Sequence, residues 1–141
     1  MSDNKTKLVL GYSRVSTLNQ ISNSSLSNQE KAIRDYCRTH NLELSTIHFD
    51  TASGTNQNEN LSKVLKCLYS KSNNIDTLVV TSFDRVFRSV SNMSQILVDF
   101  KKRGCKIISI KENFDLESPI GELMLNLFSS ISQFELELIK D

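Results

Sequence analysis

The chain predicts an α/β fold: a mostly parallel sheet of four or five strands with helices on both faces, ending in a long helix. Three observations carry this prediction. Short apolar, β-prone runs recur at residues 8–12, 44–49, 75–80 and 105–110. Segments with apolar residues at three- and four-residue spacing separate them. Strands alternating with helices form right-handed crossover units, which place their strands in parallel and their helices over the sheet. From Pro119 onward Ile120, Leu123, Leu127, Ile131, Phe134 and Leu138 keep helical spacing to the last residues.

Leu8-Val9-Leu10-Gly11-Tyr12 has no polar alternation, which marks a strand buried on both faces. Residues 17–28 are rich in Ser and Asn, whose side chains compete for local backbone groups, and read as a mobile loop. Ser27 and Glu30 have capping-box spacing ahead of Ala32, Ile33, Tyr36 and Cys37, which share a helical face that ends near His40 and Asn41. Residues 44–49 form the second strand and residues 50–56 a polar loop. Leu61, Val64, Leu65 and Leu68 then predict a helix. The β-branched run 75–80 is the third strand, and Met93, Ile96, Leu97 and Phe100 place a helix over residues 91–102 that Gly104 stops. Residues 105–110 are the fourth strand, and a short extended piece around Phe114 is the fifth. Pro119 after Ser118 is a good first residue for the final helix.

At 141 residues the chain has the length of one domain able to bury a core without disulfides or metal. Its net charge of +1 excludes an overall basic field that would hold it on nucleic acid. Cys37, Cys67 and Cys105 are odd in number, far apart and without zinc or paired-thiol spacing, which favours reduced thiols and a cytoplasmic location. No apolar stretch reaches the roughly 20 residues that span a bilayer, so no membrane partner is expected. Gly-x-x-x-x-Gly-Lys and Gly-x-Gly-x-x-Gly are both missing, which argues against ATP and dinucleotides. Asp50, Asp84 and Asp115 are also unlike the carboxylates of a receiver domain, because Ser13, Arg14 and Ser16 stand where an acidic pair would follow the first strand.

Two segments concentrate the chemistry. Tyr12-Ser13-Arg14-Val15-Ser16-Thr17 follows the first strand and Asp84-Arg85-Val86-Phe87-Arg88-Ser89 follows the third. The chain has eleven lysines and only six arginines, yet three of the six lie here. A guanidinium is a planar fork that matches phosphate oxygens, which an ammonium does not copy. Ser16 alone would read as a structural serine, but flanked by such forks it has the position of a nucleophile whose attack they would support electrostatically. Arg85 and Arg88 share a face if a helical turn begins at Asp84, and Asp84 is placed to orient one of them through an ion pair. His40 and His48 lie in a helix end and a strand, away from Ser16. In parallel sheets sites form at the carboxyl ends of strands where the strand order switches, so both segments are expected to face one pocket.

These residues resemble the serine recombinases, the family of resolvases, invertases and large phage-type integrases. The first segment is similar to that family's Tyr-x-Arg-Val-Ser-Thr signature and the second to its Asp-Arg-Leu-x-Arg-Ser motif. The resemblance implies a three-layer α/β/α resolvase-like domain with Ser16 as nucleophile, Arg14 as a phosphate-binding arginine, and catalytic roles for Asp84, Arg85 and Arg88. Residues 26–29 resemble the stretch with the family's active-site glutamine, here Gln29. Asp50-Thr51-Ala52-Ser53-Gly54 resembles its Asp-x-x-Ser-Gly segment and implicates Ser53 in DNA binding. Two positions depart from the pattern: Glu59 lies nearest a usual phosphate-binding arginine, and Leu136 replaces the arginine of a Glu-Arg pair in the long helix.

The resemblance implies site-specific DNA cleavage and rejoining through a 5′-phosphoserine link, with no cofactor, metal, nucleotide or small-molecule substrate. It further implies homodimers that pair as a tetramer through the final helix, with Leu123, Leu127, Ile131 and Phe134 on its assembling face. Residues 1–118 are then the catalytic core and residues 119–141 the start of the assembly helix, and the natural gene product is expected to continue into a DNA-reading domain. Ser118-Pro119-Ile120-Gly121-Glu122-Leu123-Met124 resembles the large-integrase entry to that helix. Glu59 and Leu136 motivate a rival expectation, a weakened or inactive recombinase-like module acting in assembly or regulation.

Overall fold

The computed structural model describes residues 7–15, 24–51, 59–70, 74–87, 89–116 and 118–140. In chain order it contains β1 (Lys7–Val15), α1 (Ser24–Thr39), β2 (Leu42–Thr51), α2 (Glu59–Tyr69), β3 (Thr77–Val80), a 3-10 turn (Phe83–Arg85), α3 (Val90–Arg103), β4 (Lys106–Ser109), β5 (Phe114–Asp115) and α4 (Pro119–Lys140). The sheet order is β2-β1-β3-β4-β5. The first four strands pair in parallel and β5 runs antiparallel to β4. The chain therefore leaves β1 toward one edge, returns past it, and builds β3 on the other side. That reversal makes the β1/β3 boundary the switch point.

Side chains alternate across β1 and so divide the core in two. Leu10 and Tyr12 face one side, where Leu78 and Val80 of β3 meet Leu61, Val64 and Leu68 of α2 and Leu97 and Phe100 of α3. Val9 and Val79 face the other, against Ile33 and Cys37 of α1. Gly11 lets α1 close onto that side: a Cβ there would lie 3.0 Å from Ile47 Cγ1 and 3.2 Å from Ile33 Cγ2. This is the expected three-layer arrangement.

Several boundaries differ from expectation. Of the loop read over residues 17–28, residues 24–28 belong to α1, so Ser27 lies inside the helix instead of capping it, and residues 17–23 lie outside the described residues. In so Ser-rich a stretch several residues have cap chemistry, and tertiary packing of Leu26 and Gln29 selects the earlier start. β1 runs on to Val15 because β2 extends beside it to Thr51, so Ser13 and Arg14 are strand residues. β3 and β4 are shorter than their apolar runs. Ile75 and Cys105 are buried just outside them. The α3 ends are clean: Ser89 Oγ accepts from Asn92 N at 3.0 Å, and Gly104 closes the helix at φ 74, a left-handed conformation that glycine adopts without a Cβ clash.

Ser118 Oγ accepts the Gly121 amide at 2.9 Å, so α4 is capped one residue before Pro119. Leu125 is buried and Met124 packs beside it, which leaves Leu123, Leu127, Ile131 and Phe134 on an uncovered stripe, 36% to 64% exposed. Gly121 lies hard against the preceding turn. A Cβ there would fall 2.2 Å from Asp115 O and 2.9 Å from Leu116 Cα. Gly121→Ala is therefore expected to force the α4 root off the sheet at a cost of about 1–3 kcal/mol. Urea unfolding of the two proteins checks this, and equal stability would contradict the close approach.

Candidate active site

Arg14 on β1 and the Phe83–Arg85 turn after β3 flank the switch point, and each holds the other. Arg14 Nη2 donates to the Asp84 carbonyl at 2.8 Å, and Arg85 Nη1 donates to the Arg14 carbonyl at 3.0 Å. Gln29, reaching over from α1, donates its Nε2 to the same Arg14 carbonyl at 3.4 Å. Two side chains thus converge on one peptide oxygen two residues before Ser16. Gln29 is buried and its Oε1 has no partner among the described residues, nor has the buried Ser13 hydroxyl. Buried polar atoms left unpaired are costly and uncommon outside functional sites.

Asp84 makes no ion pair with Arg85 among the described residues, and Arg88, the other arginine it was expected to orient, lies outside them. The Asp84 carboxylate instead accepts from the Ser82 hydroxyl. That bond, with Arg85 and Lys111 nearby, holds its pKa below the usual 3.8.

A second constellation ties the end of β2 to the start of α2. Asp50 is buried, and its carboxylate accepts the Tyr12 hydroxyl at 2.7 Å and the amides of Asn60 and Leu61 at 2.9 Å each. It caps α2 from ten residues upstream, where a negative charge also favours the positive helix end. Asn60 Nδ2 donates back to Phe49 O at 2.6 Å. Glu59 is exposed in the first turn of α2 and pairs with Lys63 at 3.9 Å. A carboxylate suits that position by the same helix-end argument.

Of the sequence-predicted residues, Arg14, Gln29, Asp84 and Arg85 come together, whereas Ser16, Ser53 and Arg88 lie outside the described residues. His40 stacks on Tyr36 and His48 Nε2 shares a hydrogen bond with Thr46 Oγ1, so both are engaged locally. Leu136 is exposed beside Val98, Ser129 and Gln133 in a groove between α3 and α4. Sequence reasoning missed Ser82 and Glu112. The only signal for either was a polar side chain at the carboxyl end of a buried strand. Among the described residues no helix is long and apolar enough to cross a membrane.

The family model described as "Resolvase, N terminal domain" matches residues 9–141. The chain belongs to this resolvase-domain family. Its relatives include a probable DNA-invertase of Sinorhizobium fredii, 30% identical over 134 residues that cover 94% of this chain and 39% of that protein. A resolvase of Clostridium perfringens is 29% identical over 136 residues, covering 94% and 66% respectively. This resolvase domain therefore spans less than two thirds of either relative. Among solved structures, the N-terminal catalytic domain of TP901-1 integrase superposes with a TM-score of 0.80 at 29% identity, covering 94% of this chain and 98% of that one.

The lowered Asp84 pKa has a measurable consequence. A carboxyl whose folded value is depressed stabilises the fold above its unfolded value, and that contribution is lost as pH falls through the folded one. Between about pH 6 and about pH 3, Asp84→Asn is expected to lose less unfolding free energy than the parent chain. Identical losses in urea titrations would show that the Ser82 bond does not favour the ionised carboxylate.

Proposed function

We propose that this resolvase domain is the catalytic unit of a site-specific DNA recombinase in which Ser16 attacks a DNA phosphodiester. The observation that carries the proposal is the reciprocal bonding of Arg14 and Arg85, which fixes two arginine segments around the strand end that leads into Ser16. A guanidinium has five N–H donors, so one bond to a carbonyl leaves capacity to grip phosphate oxygens. The Ser16 hydroxyl gives up its proton as its Oγ bonds to phosphorus. The bond to the 3′ oxygen breaks, and that oxygen leaves as a hydroxyl, giving a 5′-phosphoserine link. Attack by a 3′ hydroxyl reverses the step, and the phosphoester conserved in the link removes any need for ATP.

Arg14 and Arg85 stabilise the added negative charge of the transition state from fixed positions, where preorganised donors are most effective, and Arg88 adds its charge to theirs. Gln29, bonded to the Arg14 carbonyl, supplies in its Oε1 a buried acceptor that has no partner among the described residues. Ser53, in the sequence between β2 and α2, contacts the DNA backbone. No cofactor takes part. Residues 1–118 form the catalytic unit, and the uncovered stripe of Leu123, Leu127, Ile131 and Phe134 on α4 joins copies into dimers and then a synaptic tetramer. An apolar stripe this exposed favours burial against another chain. The setting is cytoplasmic, where DNA is the substrate.

Covalent trapping tests the reading. The native protein is incubated with fragmented host DNA, quenched in detergent, and protein-linked DNA ends are recovered beside a Ser16→Ala control. Ser16→Ala is expected to lower linked ends at least about 1000-fold, the scale seen when a nucleophile is removed. Equal recovery from both proteins would instead support a regulatory module that keeps the fold without the chemistry.

A further inference from the structure

Glu112 lies in the turn between β4 and β5, and nothing in the serine chemistry above uses it. Its Oε1 accepts from the Ser109 hydroxyl and, at 3.2 Å, from the backbone amide of Phe83. Ser109 is fully buried at the end of β4, while Phe83 opens the turn that ends at Arg85. Glu112 itself is exposed. Its carboxylate is thus held from below by a buried hydroxyl and spans two neighbouring strand ends.

The Phe83 amide needs this partner. The first amides of any helical turn have no acceptor within the turn. Ser82 stands at the capping position, but it makes no side-chain cap bond, because its hydroxyl donates to Asp84. The acceptor comes from another strand instead. Two backbone bonds bring it there, Ile110 N to Val80 O at 3.0 Å and Lys111 N to Thr81 O at 2.8 Å, which carry the parallel pairing of β3 and β4 past their ends. Asn113, at φ 52, reverses the chain. Phe114 then packs edge-on against Phe83 with ring centroids 5.0 Å apart.

We propose that Glu112 is a positioning residue for DNA cleavage: anchored by Ser109, it caps the Phe83–Arg85 turn and so sets Arg85 and the Asp84 carbonyl against Arg14. The proposal rests on the recombinase reading for the reaction it serves, but the contact itself does not depend on that reading. Glu112 touches no reacting atom. It acts by restricting the turn from which Arg85 reaches the Arg14 carbonyl.

The test compares Glu112→Ala and Glu112→Gln in the full chain. Glutamine keeps an acceptor oxygen at the same place, whereas alanine removes it. Amide hydrogen exchange at Phe83 and Arg85 is expected to accelerate about tenfold or more in Glu112→Ala, to stay within about threefold of the parent in Glu112→Gln, and to be unchanged at the core amides of Leu78 and Val79 in both. On DNA, Glu112→Ala is expected to form the covalent adduct about tenfold more slowly at saturating DNA with unchanged affinity, and Glu112→Gln to recover most of the rate. Unchanged exchange at Phe83 and Arg85 would overturn the proposal. So would equal acceleration at Leu78 and Val79, an unchanged adduct rate in Glu112→Ala, or a glutamine variant as defective as the alanine one. A parent protein that forms no adduct would sink the recombinase reading by itself, and the exchange comparison would still decide the contact.

Discussion

The site depends on two guanidiniums, each bonded to the other segment's backbone. Arg14 holds the Asp84 carbonyl and Arg85 holds the Arg14 carbonyl. Carbonyls are fixed by the main chain, so these bonds tie the end of β1 to the turn after β3 with little freedom left at either. The cost of ordering two long side chains is met before any phosphate arrives, which is what preorganisation requires. Placing the same arginines on unlinked loops would leave that entropy to be lost on binding.

The sheet makes this pairing available. Because β1 lies between β2 and β3, its carboxyl end is bordered on one side by the segment that follows β2 and on the other by the segment that follows β3. Asp50 anchors one of them by capping α2, and the Tyr12 hydroxyl holds Asp50 from the central strand. The Ser109–Glu112 pair braces the other. Tyr12 therefore serves both as a core side chain and as a support for the site, while its neighbours Ser13 and Arg14 face opposite sides of the strand.

Much of this was legible in the residues. Periodicity found the four parallel strands, and the order of the arginine segments placed them at strand ends, because buried strands and helical faces leave local patterns. Ser27 with Glu30 had the spacing of a cap and still lay inside α1, since the packing of Leu26 and Gln29 outweighed a local preference. The contacts that assemble the site left no such trace. Arg85 meets a carbonyl 71 positions away and Asp50 accepts amides ten and eleven residues on. A side chain bonding to distant backbone has no partner residue type to betray it. For the same reason Glu112 went unnoticed, since it accepts the Phe83 amide 29 positions away. Leu123, Leu127, Ile131 and Phe134 showed their helical spacing, but spacing alone does not reveal which apolar face of a helix the domain leaves bare.

The most direct test of this account is a double-mutant cycle on folding stability with Arg14→Ala, Arg85→Ala and both together. If the two guanidiniums latch the same pair of segments, breaking one weakens the hold of the other. The free energies are then expected to depart from additivity by about 1 kcal/mol. Additivity within about 0.3 kcal/mol would show two independent contacts and contradict the single site proposed for the β1/β3 switch point.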